Sequence, residues 1–336
     1  MRIPQVLFSA PASNDCIMTS LNSFDVAASI RFASKTVSAI LAAGAVAGAA
    51  TAAYARFYEL NNFGVRQEVL PVLPAGSPDF RVLHISDMHM IPGQKQKTAF
   101  MHSLADLQPD LVINTGDNLS HMSGLPALLE ALGPLFDFPG VYVPGSNCYF
   151  APVPKNPARY LWKKNTGDEA GSEPRNLLPT QDMHDAFDAR GWVGLINRHD
   201  TLTINGLRLE FSGVDDPHLD YDQHPGFAPT AFEAGKDPSV RLGVCHAPYM
   251  RTLERFVDDG AQAIFAGHTH GGQVCLPGGH ALVSNCDLPP ERAKGVSLQG
   301  GVPVQVSAGL GTSRYAQVRL FCPPEAVLVT LTSAQQ

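Results

Sequence analysis

Residues 262–274 read "QAIFAGHTHGGQV", from Gln262 to Val274. Ala263 to Ala266 form a short apolar run of the kind that makes a buried strand. Gly267 follows, then His268 and His270 two positions apart, then Gly271 and Gly272. Two imidazoles so spaced on an extended turn can face one cleft, and the glycines permit the tight backbone this needs. The stretch predicts a strand whose carboxyl end delivers a pair of metal-ligating histidines. If it is one strand of an α/β sheet, other strands should end in polar residues as well.

They do. "FRVLHIS" (80–86) ends in Asp87-Met88-His89, and "DLVINT" (110–115) ends in Gly116-Asp117-Asn118. "GVYVP" (140–144) ends in "GSNCYF" (145–150), and "VRLGVC" (240–245) ends in His246. Apolar residues at helical spacing lie between these runs, at Phe100-Leu104-Leu107, Leu125-Leu128-Leu129-Leu132 and Leu253-Phe256-Val257, and a further helix is expected near 182–189. "TLTINGLRLEFSGV" (201–214) reads as a hairpin turning on Asn205-Gly206. "VPVQVS" and "AVLVTLT" read as two late strands. Alternating strands and helices with polar strand ends predict an α/β fold with its site along the carboxyl edge of the sheet. Alone, Asp87-x-His89, Gly116-Asp117 and His246 each read as an ordinary turn or structural residue, and His268-x-His270 is the stronger metal candidate. Jointly they bring two carboxylates and four histidines to one cleft, a nitrogen and oxygen donor set that suits Zn, Fe or Mn.

Composition is compatible with a globular enzyme. The chain has 336 residues, 44% of them hydrophobic and 16% charged, enough apolar content for a sizeable core. A net charge of −7 gives no reason to expect a nucleic-acid partner. The six cysteines (16, 148, 245, 275, 286, 322) contain no C-x-x-C pair, which argues against a zinc ribbon and a disulfide framework.

Residues 1–35 are expected to be a disordered N-terminus outside the fold. The uncharged run "TVSAILAAGAVAGAATAAYA" (36–55) has about the length that crosses a bilayer. It reads as an uncleaved single-pass anchor, as a signal with a cleavage site at Ala53-Tyr54-Ala55, or as a soluble alanine-rich helix. We take the anchor as the working reading, with the enzyme on the outer side of the cell membrane. Pro71, Pro74 and Pro78 mark residues 56–79 as a linker, and residues 80–336 as the catalytic domain. Residues 151–180, rich in Pro, Lys and Arg (Lys155, Arg159, Lys163, Lys164), read as a loop excursion over the site.

"SDMH", "TGDN", "VCHAP" and "AGHTHGGQV", in this order, resemble the calcineurin-like metallophosphoesterase superfamily, and "SNCDLPPERAKG" (284–295) resembles its membrane-associated bacterial branch. The resemblance covers about residues 80–330. It implies a metallophosphoesterase-type double β-sandwich flanked by helices, here preceded by an N-terminal transmembrane helix. It also implies a binuclear centre of divalent or trivalent ions (Mn, Fe or Zn). By analogy Asp87, His89 and His270 hold the first ion, His246 and His268 the second, and Asp117 bridges. Two such cations generate a hydroxide near neutral pH and clamp the phosphoryl oxygens for in-line displacement.

The loop at 145–148 departs from the family's Gly-Asn-His-Asp/Glu. Aligned without a gap, Ser146 takes the position of the ligating Asn; with a one-residue shift, Asn147 does. We expect Asn147, since an amide oxygen is the better neutral ligand. Neither alignment supplies the histidine that acts as general acid. His121 and His218 are the candidates to replace it. Cys148 reads as a metal thiolate, a redox-sensitive group or an inert packing residue. The expected activity is hydrolysis of a phosphodiester or pyrophosphate, in a small molecule or a lipid-linked envelope precursor. The alternative is a metal-binding pseudoenzyme that senses or scaffolds.

Overall fold

The computed structural model describes residues 26–154, 176–228 and 239–333. The excursion's Lys155, Arg159, Lys163 and Lys164 lie outside the described residues. Among the described residues the first unit, which ends at Thr51, is formed by helix α1 (Val26–Ala53); the helix begins inside the stretch 1–35 expected to be disordered, and its last two residues belong to the second unit. Among the described residues one helical segment, Lys35–Asn61, is long and apolar enough to cross a membrane. The second unit begins at Ala52 and holds the rest of the chain.

That second unit contains two six-stranded sheets. The first is built from β1 (Gly64–Leu73), β2 (Phe80–Ile85), β3 (Leu111–Asn114), β4 (Gly140–Tyr142), β5 (Val193–Gly194) and β14 (Glu325–Ser333), in the order β1-β14-β2-β3-β4-β5. The second uses β6 (Arg198–Ile204), β7 (Leu207–Gly213), β8 (Ser239–Val244), β9 (Ala263–Ala266), β12 (Gly295–Gln299) and β13 (Val302–Val306), in the order β12-β13-β9-β8-β7-β6. A small hairpin pairs β10 (Cys275–Leu276) with β11 (His280–Ala281).

Side-chain alternation explains the layers. Along β2 and β3, Val82, Leu111 and Ile113 face the inner core with Leu209, Phe211, Leu242 and Phe265 of the other sheet. Their neighbours Leu83, Ile85 and Val112 point outward, into a cluster with Met101, Leu128 and Phe187 from α2 (Lys95–Ser103), α3 (Leu125–Leu132) and α5 (Thr180–Asp188). Outside the second sheet, Leu253 and Phe256 of α6 (Met250–Asp258) cover Ile264 and Val304. Two sheets packed face to face with helices outside both form a double β-sandwich.

The hairpin at Asn205-Gly206 forms as expected, joining antiparallel β6 and β7. The linker does not. Residues 56–79 contain β1, which pairs in parallel with β14 from Gly64↔Glu325 onward. The prolines misled the sequence reading: Pro71 is tolerated because β1 is an edge strand, and the ladder irregularity falls between Pro71 and Leu73.

Strands β2, β3 and β4 run parallel, as do β7, β8 and β9. Their carboxyl ends therefore emerge together within each sheet. Asp87 and His89 follow β2, Asp117 follows β3 and Ser146-Asn147 follow β4. His218 follows β7, His246 follows β8, and His268 and His270 follow β9.

Candidate metal centre

Asp117 lies at the middle of the site. Its Oδ1 is 3.4 Å from His246 Nε2, and its Oδ2 is 3.6 Å from His89 Nε2. The 145–149 loop closes on it from β4: the Asn147 N–H donates to Oδ1 at 2.7 Å and the Asn147 amide to Oδ2 at 2.8 Å. His270 Nε2 is 3.6 Å from Asp87 Oδ1. Two groups of donor atoms gather within 4.8 Å, Asp87-His89-His270 and Asp87-Asp117-His246.

The backbone is bent to make this possible. Asp87, His89, Asp117, His268 and His270 all adopt left-handed φ, between 45° and 70°. Non-glycine residues rarely do so, and clustering of such conformations marks a site whose surroundings hold it under strain.

Buried partners orient the rings. His246 Nδ1 lies 2.7 Å from the Thr115 carbonyl, so Nδ1 donates there and Nε2 is turned toward Asp117. His270 Nδ1 likewise donates to Gly311 O at 3.1 Å, and His89 Nδ1 pairs with Ser120 Oγ at 2.9 Å. His268 stands apart from the two donor groups. Its Nε2 is 3.1 Å from Asn285 O, which leaves Nδ1 as its unprotonated nitrogen. Its ring centroid is 5.2 Å from that of His246.

Electrostatics divide the groups. Burial lifts Asp87 to about 6, with Asp117 adding to the rise and His246 opposing it. Asp117 is held well below the carboxylate range: burial works against this, and His246, His89 and the Asn147 amide outweigh it. His246 rises to about 10 because Asp117, Asp87 and Asp216 override its burial. Burial drives His89 down to about 4 and lowers His268 and His270 well below 6.5.

These residues fit metal ions. Asp87 Oδ1 and His246 Nε2 are buried and lack any hydrogen-bond partner among the described residues. An unpartnered buried polar atom is costly unless something satisfies it. His89 Nε2 and His270 Nε2 approach to 3.2 Å. Two nitrogens about 2.0–2.1 Å from one zinc-sized ion stand roughly this far apart.

The candidate general acids separate. His121 accepts from the Ser123 N–H and does not line the cleft. His218 does line it, with Nδ1 3.0 Å from the Tyr249 hydroxyl and its ring 4.7 Å from that of His268. Cys148 is fully buried among the residues that pack α5, and burial pushes its thiol up to about 12. It is a packing group. Ser146 and Asn147 both line the cleft.

Sequence reasoning missed two buried cations. Lys97 Nζ donates to Met88 O at 2.7 Å, between Asp87 and His89. Arg319 donates to the carbonyls of Ala308, Gly309 and Gly311 at 2.7, 3.1 and 2.7 Å. Neither lies in a recognisable motif: what each holds is a backbone carbonyl within about a dozen positions, and a carbonyl carries no residue-type signal.

A double β-sandwich with this donor set at its strand ends defines a metal-dependent phosphoester hydrolase. The chain belongs to the calcineurin-like phosphoesterase family, whose sequence profile matches residues 80–272. It is similar to the metallophosphoesterase YkuE of Bacillus subtilis (strain 168), 23% identical over 87% of this chain and 94% of that one. It is also similar to YpbG of the same organism, 26% identical over 76% and 82%. The crystal structure of TT1561 from Thermus thermophilus superposes on 69% of this chain and 91% of its own, at 10% identity and a TM-score of 0.37.

Proposed function

We propose that this phosphoester hydrolase cleaves a phosphodiester or pyrophosphate bond with two metal ions. Asp87, His89 and His270 would hold one ion, His246, His268 and Asn147 the other, and Asp117 both. When bound, such a pair lowers the pKa of water toward neutrality and screens charge on the phosphoryl group. The observation that carries the reading is the pair of orphaned buried atoms, Asp87 Oδ1 and His246 Nε2, beside a strongly acidic Asp117.

The chain's own residues do the positioning. Thr115 O, Ser120 Oγ and Gly311 O fix the three rings so that their Nε2 atoms face inward. The Asn147 amide orients Asp117, and we assign it to the ligand position that the loop leaves open. The loop has no imidazole of its own. His218 is the cleft-lining histidine outside the ligand set, and the Tyr249 hydroxyl on its Nδ1 fixes the ring beside His268. General acid catalysis is worth about 10²–10⁴-fold for a poor leaving group and little for a good one. The anchor reading of α1 favours a substrate at the cell membrane, including lipid-linked phosphoesters. The altered 145–148 loop is the feature that supports the pseudoenzyme alternative, and the retained donor set argues against it.

Metal content and turnover of bis-aryl and alkyl phosphodiesters by the wild type, Asn147→Ala and His218→Gln test these roles. We expect Asn147→Ala to lose metal, and His218→Gln to lose at least tenfold more alkyl-ester than aryl-ester turnover. Unchanged metal content in Asn147→Ala refutes its ligand role. Equal losses on both esters refute the role of His218.

A further inference from the structure

The cleft, of about 870 Å³, is not uniformly polar. At its floor lie His89, Asp117 and the other histidines. Its mouth is apolar, with Phe150, Val153, Val274, Leu282, Tyr315 and Val318. Among the described lining residues only Asp117 is acidic, while Arg56 and Arg314 are cationic. An anionic phosphoryl group with an apolar remainder matches this division.

The apolar mouth continues onto the surface. Among the described residues from Tyr54 onward fifteen large apolar side chains are exposed, and eight fall in three segments: 54–58, 274–282 and 315–321. Phe57 is 73% exposed, Leu276 51%, Leu282 46% and Phe321 43%. These segments form one patch. Arg319 N–H donates to Ala55 O at 3.1 Å, Arg56 reaches Gln317 at 2.9 Å, and Cys275 N–H donates to Leu320 O at 2.9 Å. Scattered apolar residues are ordinary on a protein surface, but a contiguous patch around a cleft is not.

What covers the patch follows from where the chain enters the domain. Tyr54–Tyr58 lies near the carboxyl end of the segment Lys35–Asn61, which is long and apolar enough to span a bilayer, and Arg56 within it lines the cleft. The patch also carries an interfacial signature: Tyr54 and Tyr58 stack at 5.2 Å, Arg56 lies over Phe57 at 5.5 Å and Arg314 over Tyr315 at 5.2 Å. Tyrosine and arginine collect where a bilayer meets water.

We propose that this patch seats on the bilayer surface and that the substrate is a lipid-linked phosphoester. Its phosphoryl end passes Arg56 and Arg314 into the site, and its hydrocarbon chain stays against Leu282, Val274 and Tyr315. The substrate half of this inference rests on the hydrolase reading above; the membrane half does not.

The full chain in vesicles of phosphatidylcholine with phosphatidylglycerol tests both halves. An environment-sensitive fluorophore is attached at Leu276→Cys and, as a control, at Thr203→Cys on β6, with the unsubstituted chain as blank. Acyl-brominated lipid should quench the label at 276 at least twofold more than the label at 203. Equal quenching, or a label at 276 shielded from lipid and aqueous quenchers alike by a protein partner, overturns the membrane surface. In the second arm, kcat/KM is measured on a diacylglycerol-linked pyrophosphate and on a soluble bis-aryl phosphodiester. Leu282→Ser and Val274→Ser should lower the ratio of the first to the second at least tenfold. An unchanged ratio overturns the lipid-linked substrate. Failure to turn over either ester would refute the hydrolytic reading, and the quenching arm would still decide the surface.

Discussion

Lys97 and Arg319 are buried cations that hold backbone carbonyls rather than carboxylates. Arg319 is fully buried, and four carbonyls receive its donors: those of Ala308, Gly309, Gly311 and Cys322. Gly311 O also accepts from His270, so the guanidinium supports a ligand ring through a shared acceptor. Arg319→Met would strand these acceptors, and a lost buried network of this kind costs on the order of 3–5 kcal/mol. Arg319→Lys should recover little, because an ammonium cannot fork across separated acceptors. Urea unfolding checks both; a loss under about 1 kcal/mol for Arg319→Met would contradict this account. Lys97 gives a pH signature. Burial, with help from Arg319, lowers its pKa to about 7 from 10.5. Between those values the unfolded chain keeps a proton that the folded chain has released, so stability rises with pH across that window. Below about 7 both states are protonated and Lys97 contributes no slope. Urea midpoints at pH 7, 8 and 9 should therefore rise in the wild type relative to Lys97→Met. Parallel curves would show that Lys97 is not desolvated.

At the scale of elements, strand ends carry the site and the close approach of loops makes it compact. A Cβ on Gly145 would lie 2.4 Å from Asp117 Oδ1 and 2.6 Å from the His246 ring. One on Gly267 would lie 1.9 Å from Ser86 Oγ and 2.6 Å from Asp87 Oδ2. Gly145→Ala should thus fold with little change in the β-sandwich but lose metal affinity by at least tenfold, since Asp117 and His246 must both move. Metal titration monitored by calorimetry, with circular dichroism as the folding control, reads this out. Unaltered affinity would mean the loop yields instead. The strand-end motifs were legible in the sequence because alternation and turn residues are local signals: Asp87-x-His89, Gly116-Asp117 and Gly267-His268-x-His270 each lie within a few positions. Strand β1 was not legible, because its pairing with β14 joins residues some 260 positions apart and its prolines carry the local signal of a linker. Arg319 was hidden for a different reason: its acceptors are nearby backbone carbonyls, which every residue type supplies. Cys148, which the sequence left open between ligand and filler, is decided by burial that only the tertiary structure reveals.

At the scale of the whole molecule, the ligand candidates come from both sheets. Asp87, His89 and Asp117 follow strands of the first; His246, His268 and His270 follow strands of the second. Metal ions held there as proposed would tie the two halves of the sandwich together at one end. Without them, buried Asp87 and Asp117 face each other, and desolvation already raises the Asp87 pKa to about 6. Bound cations remove that conflict in the folded state and have no matching site in the unfolded chain. At a free metal concentration about 100-fold above Kd, one ion adds about 2.7 kcal/mol. At about 2–4 °C per kcal/mol for a domain of this size class, loading one site should raise Tm by roughly 5–10 °C. Chelation should reverse the shift, and Asp117→Asn should abolish most of it by weakening the shared ligand. The structural consequence is more specific than the Tm. Hydrogen exchange should slow on metal loading at the carboxyl ends of β2 and β3 and equally at those of β8 and β9. Protection confined to one sheet would mean that metal does not bridge the sandwich, whatever the Tm does.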